Sequence, residues 1–219
     1  MKPCSEASER NKVPILDVLR GHLASATRVL EIGSGTGQHA VFFAADLPHL
    51  VWQPTDQPQH LEGIGQWVKA AGLPNLRAPL PLWAQADEAA RGLASTDPGM
   101  CRTIWQREDA APGFDAVFTA NTLHIMGWPE VEALFTGLPS MLRDGPATII
   151  AYGPFNRHGR FTSDSNRDFD AWLKARDPRS GIRDAEAVDA LARMQGFEMV
   201  DDVAMPANNR SLVWRRQAR

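Results

Sequence analysis

Two cysteines in a chain of 219 residues, Cys4 and Cys101, are too few for a disulfide framework or a cysteine-based zinc site. Long apolar runs are missing as well, and none approaches the roughly 18 residues that a membrane span needs. The opening MKPCSEASERNK has no apolar segment, so a secretory signal is not expected. Basic charge is not in excess: 23 lysines and arginines face 26 acids, a formal net charge of −3, which predicts no general affinity for nucleic acid. The short basic stretches NRHGR and WRRQAR are of the kind usually solvated. These absences point to a cytoplasmic chain, monomer or homodimer, that handles a small molecule. Tyrosine is scarce too, with Tyr152 alone against seven tryptophans.

What is present alternates. Apolar runs and helical patterns follow one another, which predicts an α/β fold with a mostly parallel sheet and helices on both faces. One domain is expected over 1–219, with a leading helix or lid in 1–27 whose apolar pattern spans 13–24. RVLEIG reads as a first strand, followed by a glycine turn and a helix to about Leu47. LVWQPTD is a second strand ending in an acid, and 60–71 a helix with Ile64 and Val68 on one face. LRAPLPLW is a weaker third strand whose prolines suit a sheet edge. An irregular insertion covers 84–113 before the strong fourth strand FDAVFTAN. Pro129 opens a helix that Pro139 should kink, and ATIIAYG is a fifth strand. Helices over Phe169–Ala175 and Asp184–Gln195 precede a closing hairpin, FEMVDDVAM and SLVWRR around PANN.

The stretch RVLEIGSGTGQHA carries Gly33, Gly35 and Gly37 at alternate positions. A turn from strand to helix that lets a ligand approach the backbone needs residues without Cβ, and the helix start offers unpaired N–H groups. A dinucleotide fingerprint would place glycine at 38, where this chain has Gln38. Glu31 precedes the turn at the carboxyl edge, where it would repel a pyrophosphate and accept from an ammonium. Asp56, 19 residues after Gly37, is placed to accept both hydroxyls of a ribose. A ligand with a ribose and an ammonium but no phosphate is S-adenosylmethionine.

VLEIGSGTG with an acid ending strand two resembles the class I S-adenosylmethionine-dependent methyltransferases. ERNKVPIL, GTGQHAVFFA, ANTLHIMGW, YGPFN, FDAWLKARDP, GIRDAEAV and MPANN together resemble the methyltransferase-like 26 family, also known as domain of unknown function 938, over about residues 9 to 216. The resemblance implies a Rossmann-like, seven-stranded sheet with an antiparallel last strand, S-adenosylmethionine as methyl donor and S-adenosylhomocysteine as product. It implies that Gly33, Ser34, Gly35 and Gly37 line the cofactor, that Glu31 faces its methionine part, and that Asp56 holds its ribose beside Gln57. Asn121 joins this set, and Arg10 and Asn11 reach the cofactor carboxylate from the leading helix. One position departs: many relatives carry an acid after strand three for the adenine amine, and this chain reads Leu82-Trp83-Ala84. Trp83 then stacks on adenine, Asp87 reaches back, or the pocket is looser. The resemblance supplies no acceptor.

The acceptor is expected among the loops after strands four, five and six. His124 is the candidate general base and Tyr152 the candidate orienting hydroxyl. Asn156, His158, Asn208 and Asn209 are candidate substrate contacts, although asparagine in a hairpin turn also suits left-handed backbone. Arg157, Arg160 and Arg167 either attract an acidic acceptor or pair with nearby aspartates. No metal site is expected. The reading is thus an enzyme that methylates O, N or S of a small molecule. Its alternative is a non-catalytic cofactor-binding module that regulates a protein partner.

Overall fold

The structure, a computed structural model, describes residues 2–86, 92–94 and 113–217. Most of the expected insertion, with Asp87, Cys101 and Trp105, lies outside the described residues. The chain opens with helix α1 (Glu6–His22), which starts earlier than its apolar pattern because Ser5 caps it, the hydroxyl accepting from Ser8 N–H. Strand β1 (Arg28–Ile32), helix α2 (Gln38–Asp46), strand β2 (Val51–Asp56) and helix α3 (Leu61–Ala71) follow. The proline-rich third strand is reduced to β3 (Leu80–Pro81), and β4 (Trp83–Gln85) pairs with β5 (Gly92–Ala94) in a separate two-stranded sheet. Then come β6 (Ala116–Ala120), α4 (Trp128–Met141), β7 (Ala147–Asn156) and α5 (Asp164–Arg176). The chain closes with β8 (Arg183–Asp184), α6 (Ala185–Met194), β9 (Glu198–Met205) and β10 (Asn209–Arg216).

The main sheet runs β3-β2-β1-β6-β7-β10-β9, with β8 paired to the far end of β7. Pairing is parallel from β3 to β7, and β10 is antiparallel to both of its neighbours, as expected of the last strand. The third strand sits at the edge, where its proline needs no ladder partner on the outer side. Helix α4 runs through Pro139 to Met141. One expectation is corrected: the fifth strand runs on to Asn156, which leaves Tyr152 in mid-strand.

Alternation along the strands sorts the core onto two faces. Leu30, Val117, Ile149 and Trp214 pack against Leu134 and Phe135 of α4 and Val188 of α6. Val29, Trp52, Phe118, Ile150 and Tyr152 pack against Leu19 of α1 and Phe43 of α2. Within the second face the rings of Phe43, Trp52 and Phe118 lie 5.4–5.8 Å apart.

Below the sheet, at the end away from the glycine turn, Asp115 aligns β1 with β6. Its carboxylate is 4% exposed and accepts from Thr27 N–H (2.8 Å), Thr27 Oγ1 (2.7 Å) and Arg28 N–H (2.9 Å). Removing an acceptor from buried donors costs more than the hydrogen bonds contribute on balance. Asp115→Ala should lower unfolding free energy by about 3 kcal/mol in urea titration, and Asp115→Asn, which keeps one acceptor oxygen, by about half of that.

Candidate functional site

All three glycines of the turn take positive φ: +72° at Gly33, +57° at Gly35 and +86° at Gly37. They serve different ends. A Cβ on Gly33 would meet Thr122 Oγ1 at 2.6 Å, and one on Gly37 would press on Ile64 Cα at 3.1 Å. A Cβ on Gly35 would meet nothing within 4 Å, because Gly35 borders a cavity. Gly35 N–H donates to Asp56 Oδ2 at 2.7 Å, and Gln57 N–H donates to Asp56 Oδ1 at 2.7 Å. Each carboxylate oxygen keeps a lone pair for a second donor.

The cavity, of about 900 Å³, lies at the carboxyl edge of the parallel strands. Gly33, Ser34, Gly35 and Asp56 form its floor, Gln57 and Trp83 border it toward β2 and β3, and Asn121 and Thr122 border it at the end of β6. Asn121 holds φ +58°, an uncommon conformation for a residue with a side chain, and its N–H is fixed by Tyr152 O at 2.9 Å. Beyond β6 the wall includes His124, Ile125, three residues of α5 (Phe169, Trp172 and Leu173) and the charged pair Glu130 and Arg179.

The leading segment covers the cavity, with Pro3, Ser5, Ala7 and Ser8 in its wall. Trp67 Nε1 donates to Pro3 O at 2.7 Å, and the Pro3 ring fills the space over Gly63 where a Cβ would sit only 2.8 Å away. Gln38 completes the fastening: its side chain accepts from Ser5 N–H and donates to Glu9. That explains the departure from a dinucleotide fingerprint, since glycine at 38 would have no side chain to bind the cover.

Glu31 is 2% exposed and lies beneath the turn, outside the cavity lining. Its Oε2 accepts from Trp52 Nε1 at 2.8 Å, and the Ser34 hydroxyl bonds it as well. Burial pushes its carboxyl up to about 7 against those hydrogen bonds. His39 borders the cavity from α2, with Nε2 2.7 Å from Asn11 Oδ1, and burial holds it down to about 4. His124 is 6% exposed and is also held down to about 4, first by burial and then by the Arg183 charge. It therefore does not titrate near neutrality in this setting, unlike the expectation from free imidazole.

Of the residues picked from sequence, Gly33, Ser34, Gly35, Asp56, Gln57, Trp83, Asn121 and His124 border this one cavity. The others do not. Arg10 pairs with Glu6 at 3.3 Å on the outer face of α1. Gly37 faces α3, and Asn11 bridges His39 and Tyr152. Tyr152 is 4% exposed on the opposite face of the sheet, bonded to Asn11 and Asn209, with burial raising its hydroxyl. Asn156 donates to Ile182 O at 3.3 Å, and His158 is an exposed turn residue beside Glu186. Asn208 takes φ +57° next to Ala207 at +56°, the left-handed turn geometry, and donates to Ser165. Asn209 donates back to Pro206 O. Arg157 pairs with Asp202 and Glu186, and Arg167 with Asp164.

Sequence reasoning missed the wall supplied by α5 and, within the leading helix or lid expected over 1–27, the particular contacts made by Pro3 and Ser5. The first had a signal: Phe169, Trp172 and Leu173 stand at i, i+3 and i+4, one helical face in an otherwise polar helix. The second had none, because Pro3 and Ser5 precede any periodic pattern.

A mostly parallel sheet with its last strand antiparallel, and a glycine turn at its carboxyl edge opposite an acid ending the second strand, define the class I methyltransferase fold. Solved structures agree. The chain is similar to an O-methyltransferase family protein from Burkholderia thailandensis (15% identity, TM-score 0.71, covering 94% of this chain and 56% of that one). It is also similar to the apo form of the S-adenosylmethionine-dependent methyltransferase SibL (21%, 0.69, 96% and 55%) and to PigF with SAH (12%, 0.64, 91% and 54%). The chain thus spans a little over half the length of each, and likeness at such identities concerns the fold. Within this fold the chain belongs to the family described as protein of unknown function, DUF938, whose model matches residues 2–216.

The raised Glu31 carboxyl makes stability pH-dependent. Folded chain keeps a proton there that unfolded chain releases above about 4.5, so this contribution is complete below pH 4.5 and is lost as pH rises through 7. Glu31→Gln cannot ionise. Relative to the parent it should gain stability between pH 5 and pH 8, by roughly 2–3 kcal/mol, because each tenfold difference in proton affinity between folded and unfolded chain is worth about 1.4 kcal/mol. Urea midpoints at the two pH values check this.

Proposed function

We propose that the chain is an S-adenosylmethionine-dependent methyltransferase acting on a small molecule. One observation carries the reading: the bare backbone at Gly35 and the Asp56 carboxylate that clamps it face the same cavity. The donor set fits such a nucleoside. Asp56 retains acceptor capacity for two adjacent hydroxyls, Trp83 offers an indole face for the adenine ring, and Gly35 leaves room for close approach. Glu31 lies too deep for direct contact, and its part is to hold Ser34 and so the turn. Two similar structures, one described as S-adenosylmethionine-dependent and one with SAH, support the same donor.

The cofactor, when bound, supplies an electrophilic methyl group on a positively charged sulfur. What this chain supplies is alignment and exclusion of water. Residues 3–8 cover the cavity from one side and α5 walls it from another. Holding two reactants in line is worth roughly 7–11 kcal/mol of barrier, more than any proton transfer by a single side chain. His124, neutral at physiological pH, accepts a hydrogen bond from the acceptor and is too weakly basic to remove a proton of high pKa. Its part is orientation.

The non-catalytic alternative rests on Leu82-Trp83-Ala84, which lacks an acid for the adenine amine. Cofactor binding without methyl transfer to any compound of a metabolite extract, with a stoichiometric partner on pulldown, would establish it. For the enzymatic reading, isotope-labelled S-adenosylmethionine incubated with such an extract should label a small compound, found by mass. In calorimetry, Asp56→Ala and Gly35→Val should each weaken S-adenosylhomocysteine at least 100-fold, about 2.7 kcal/mol. The fold, followed by circular dichroism, should persist. Binding within threefold of the parent would remove the turn and its clamp from the site.

A further inference from the structure

The part of the cavity beyond β6 has a chemistry of its own. Phe169 and Trp172 stack with centroids 5.7 Å apart and planes 17° apart, and His124 stands edge-on to Phe169 at 5.3 Å. Trp172 is 52% exposed and Ile125 56%, a large apolar area left open at the cavity wall next to buried Leu173. Helix α5 is held in this position from both sides. Asn166 donates to Asn208 O at 3.2 Å, and Asp170 accepts from Ile182 N–H at 2.8 Å.

His124 sets a buried polar ring against these apolar residues. Among the described residues no hydrogen bond engages its ring nitrogens. Nδ1 lies toward Gly153 of β7, 3.6 Å from where a Cβ there would sit. A side chain so buried is expected to be satisfied, so the missing partner belongs to a ligand.

Among the described residues, the two charges that line this wall, Glu130 and Arg179, pair with each other, although Glu130 Oε2 is buried without a partner; Arg176, outside the lining, lies over the Trp172 ring at 4.6 Å. Arg179 pairs with Glu130 and Asp177, each at 2.9 Å, and Lys174 pairs with Asp170 at 2.6 Å. Arg183 stays outside the cavity lining, its guanidinium bonded to the carbonyls of Leu123, Met126 and Arg179. Among the described lining residues an anionic acceptor would find no free cation, and a cationic one would find only Glu130, whose charge Arg179 already balances. A neutral aromatic acceptor would lay its carbon skeleton against the rings in edge-to-face contact and present one polar hydrogen to His124.

Resting on the methyltransferase reading, we propose that the acceptor is an uncharged, planar aromatic compound bearing a hydroxyl, seated against Phe169, Trp172 and Leu173 with its hydroxyl on His124. The probe is 2-naphthol, titrated calorimetrically into the full chain with and without saturating S-adenosylhomocysteine. It should bind at least tenfold more tightly than 2-naphthoate, 2-naphthylmethylammonium or decahydro-2-naphthol. Trp172→Ala, a change at a half-exposed position, should weaken 2-naphthol at least tenfold and leave S-adenosylhomocysteine within twofold. His124→Phe should weaken 2-naphthol at least fivefold but leave naphthalene, which has no hydroxyl, unchanged.

Equal binding of the charged or saturated analogues, or an unchanged 2-naphthol affinity in Trp172→Ala, overturns the proposal. So does a chain that binds S-adenosylhomocysteine and no 2-naphthol. A chain that binds 2-naphthol by this pattern but no S-adenosylhomocysteine supports the pocket chemistry and overturns the methyltransferase reading instead.

Discussion

The carboxylate of Asp56 on the N–H of Gly35 is the contact on which the site depends. It ties the end of β2 to the turn that follows β1, across two strands that are parallel and in register from Arg28↔Val51 to Ile32↔Thr55. Without it the turn would have three residues at positive φ and little to choose that conformation over others. With it, the floor of the cavity is set by the same hydrogen-bond ladder that builds the sheet. Glu31 and Ser34 add a second fastening from below, and the cost of that is a carboxyl removed from water. The cavity is rigid on its floor because the fold's own central strands make it.

Much of this was legible in the sequence, for reasons that can be named. The β1 and β6 runs are short, apolar and bounded by breakers, so strand and turn could be placed to within a residue or two. Gly33, Gly35 and Asp56 declared themselves because each does something only its residue type can do. Tyr152 departs from expectation because β7 does not stop at Gly153. With the strand running to Asn156, parity puts Tyr152 with Ile150, on the face that packs against α1 and α2. For Arg10 the resemblance implied a contact with the cofactor carboxylate, whereas in α1 it pairs with Glu6, one turn before it, on the exposed face. Burial decided the histidine: His124 stands at the cavity as its position after strand four implies, whereas its basicity depends on surroundings that no local pattern encodes.

The asymmetry of the cavity explains why its two halves were so unequally readable. The half toward β2 and β3 is built from backbone and from single residues at strand ends, features that recur wherever this fold holds a nucleoside. The half beyond β6 is built from one face of α5, whose placement depends on Asn166 meeting the hairpin turn and Asp170 meeting Ile182, contacts spanning 42 and 12 positions. Such tertiary placement leaves only the helical spacing of Phe169, Trp172 and Leu173 as its trace.

The Pro3 ring seated over Gly63 has a mechanical consequence. Passage on that side requires the ring to leave its seat, and with it go the bonds from Trp67 to Pro3 and from Ser5 to Gln38. These few contacts involve residues before the first full turn of α1, whereas Ile15, Leu16 and Leu19 anchor the rest of that helix in the core. The cover and the anchored helix are the same piece of chain, separated only by where burial begins.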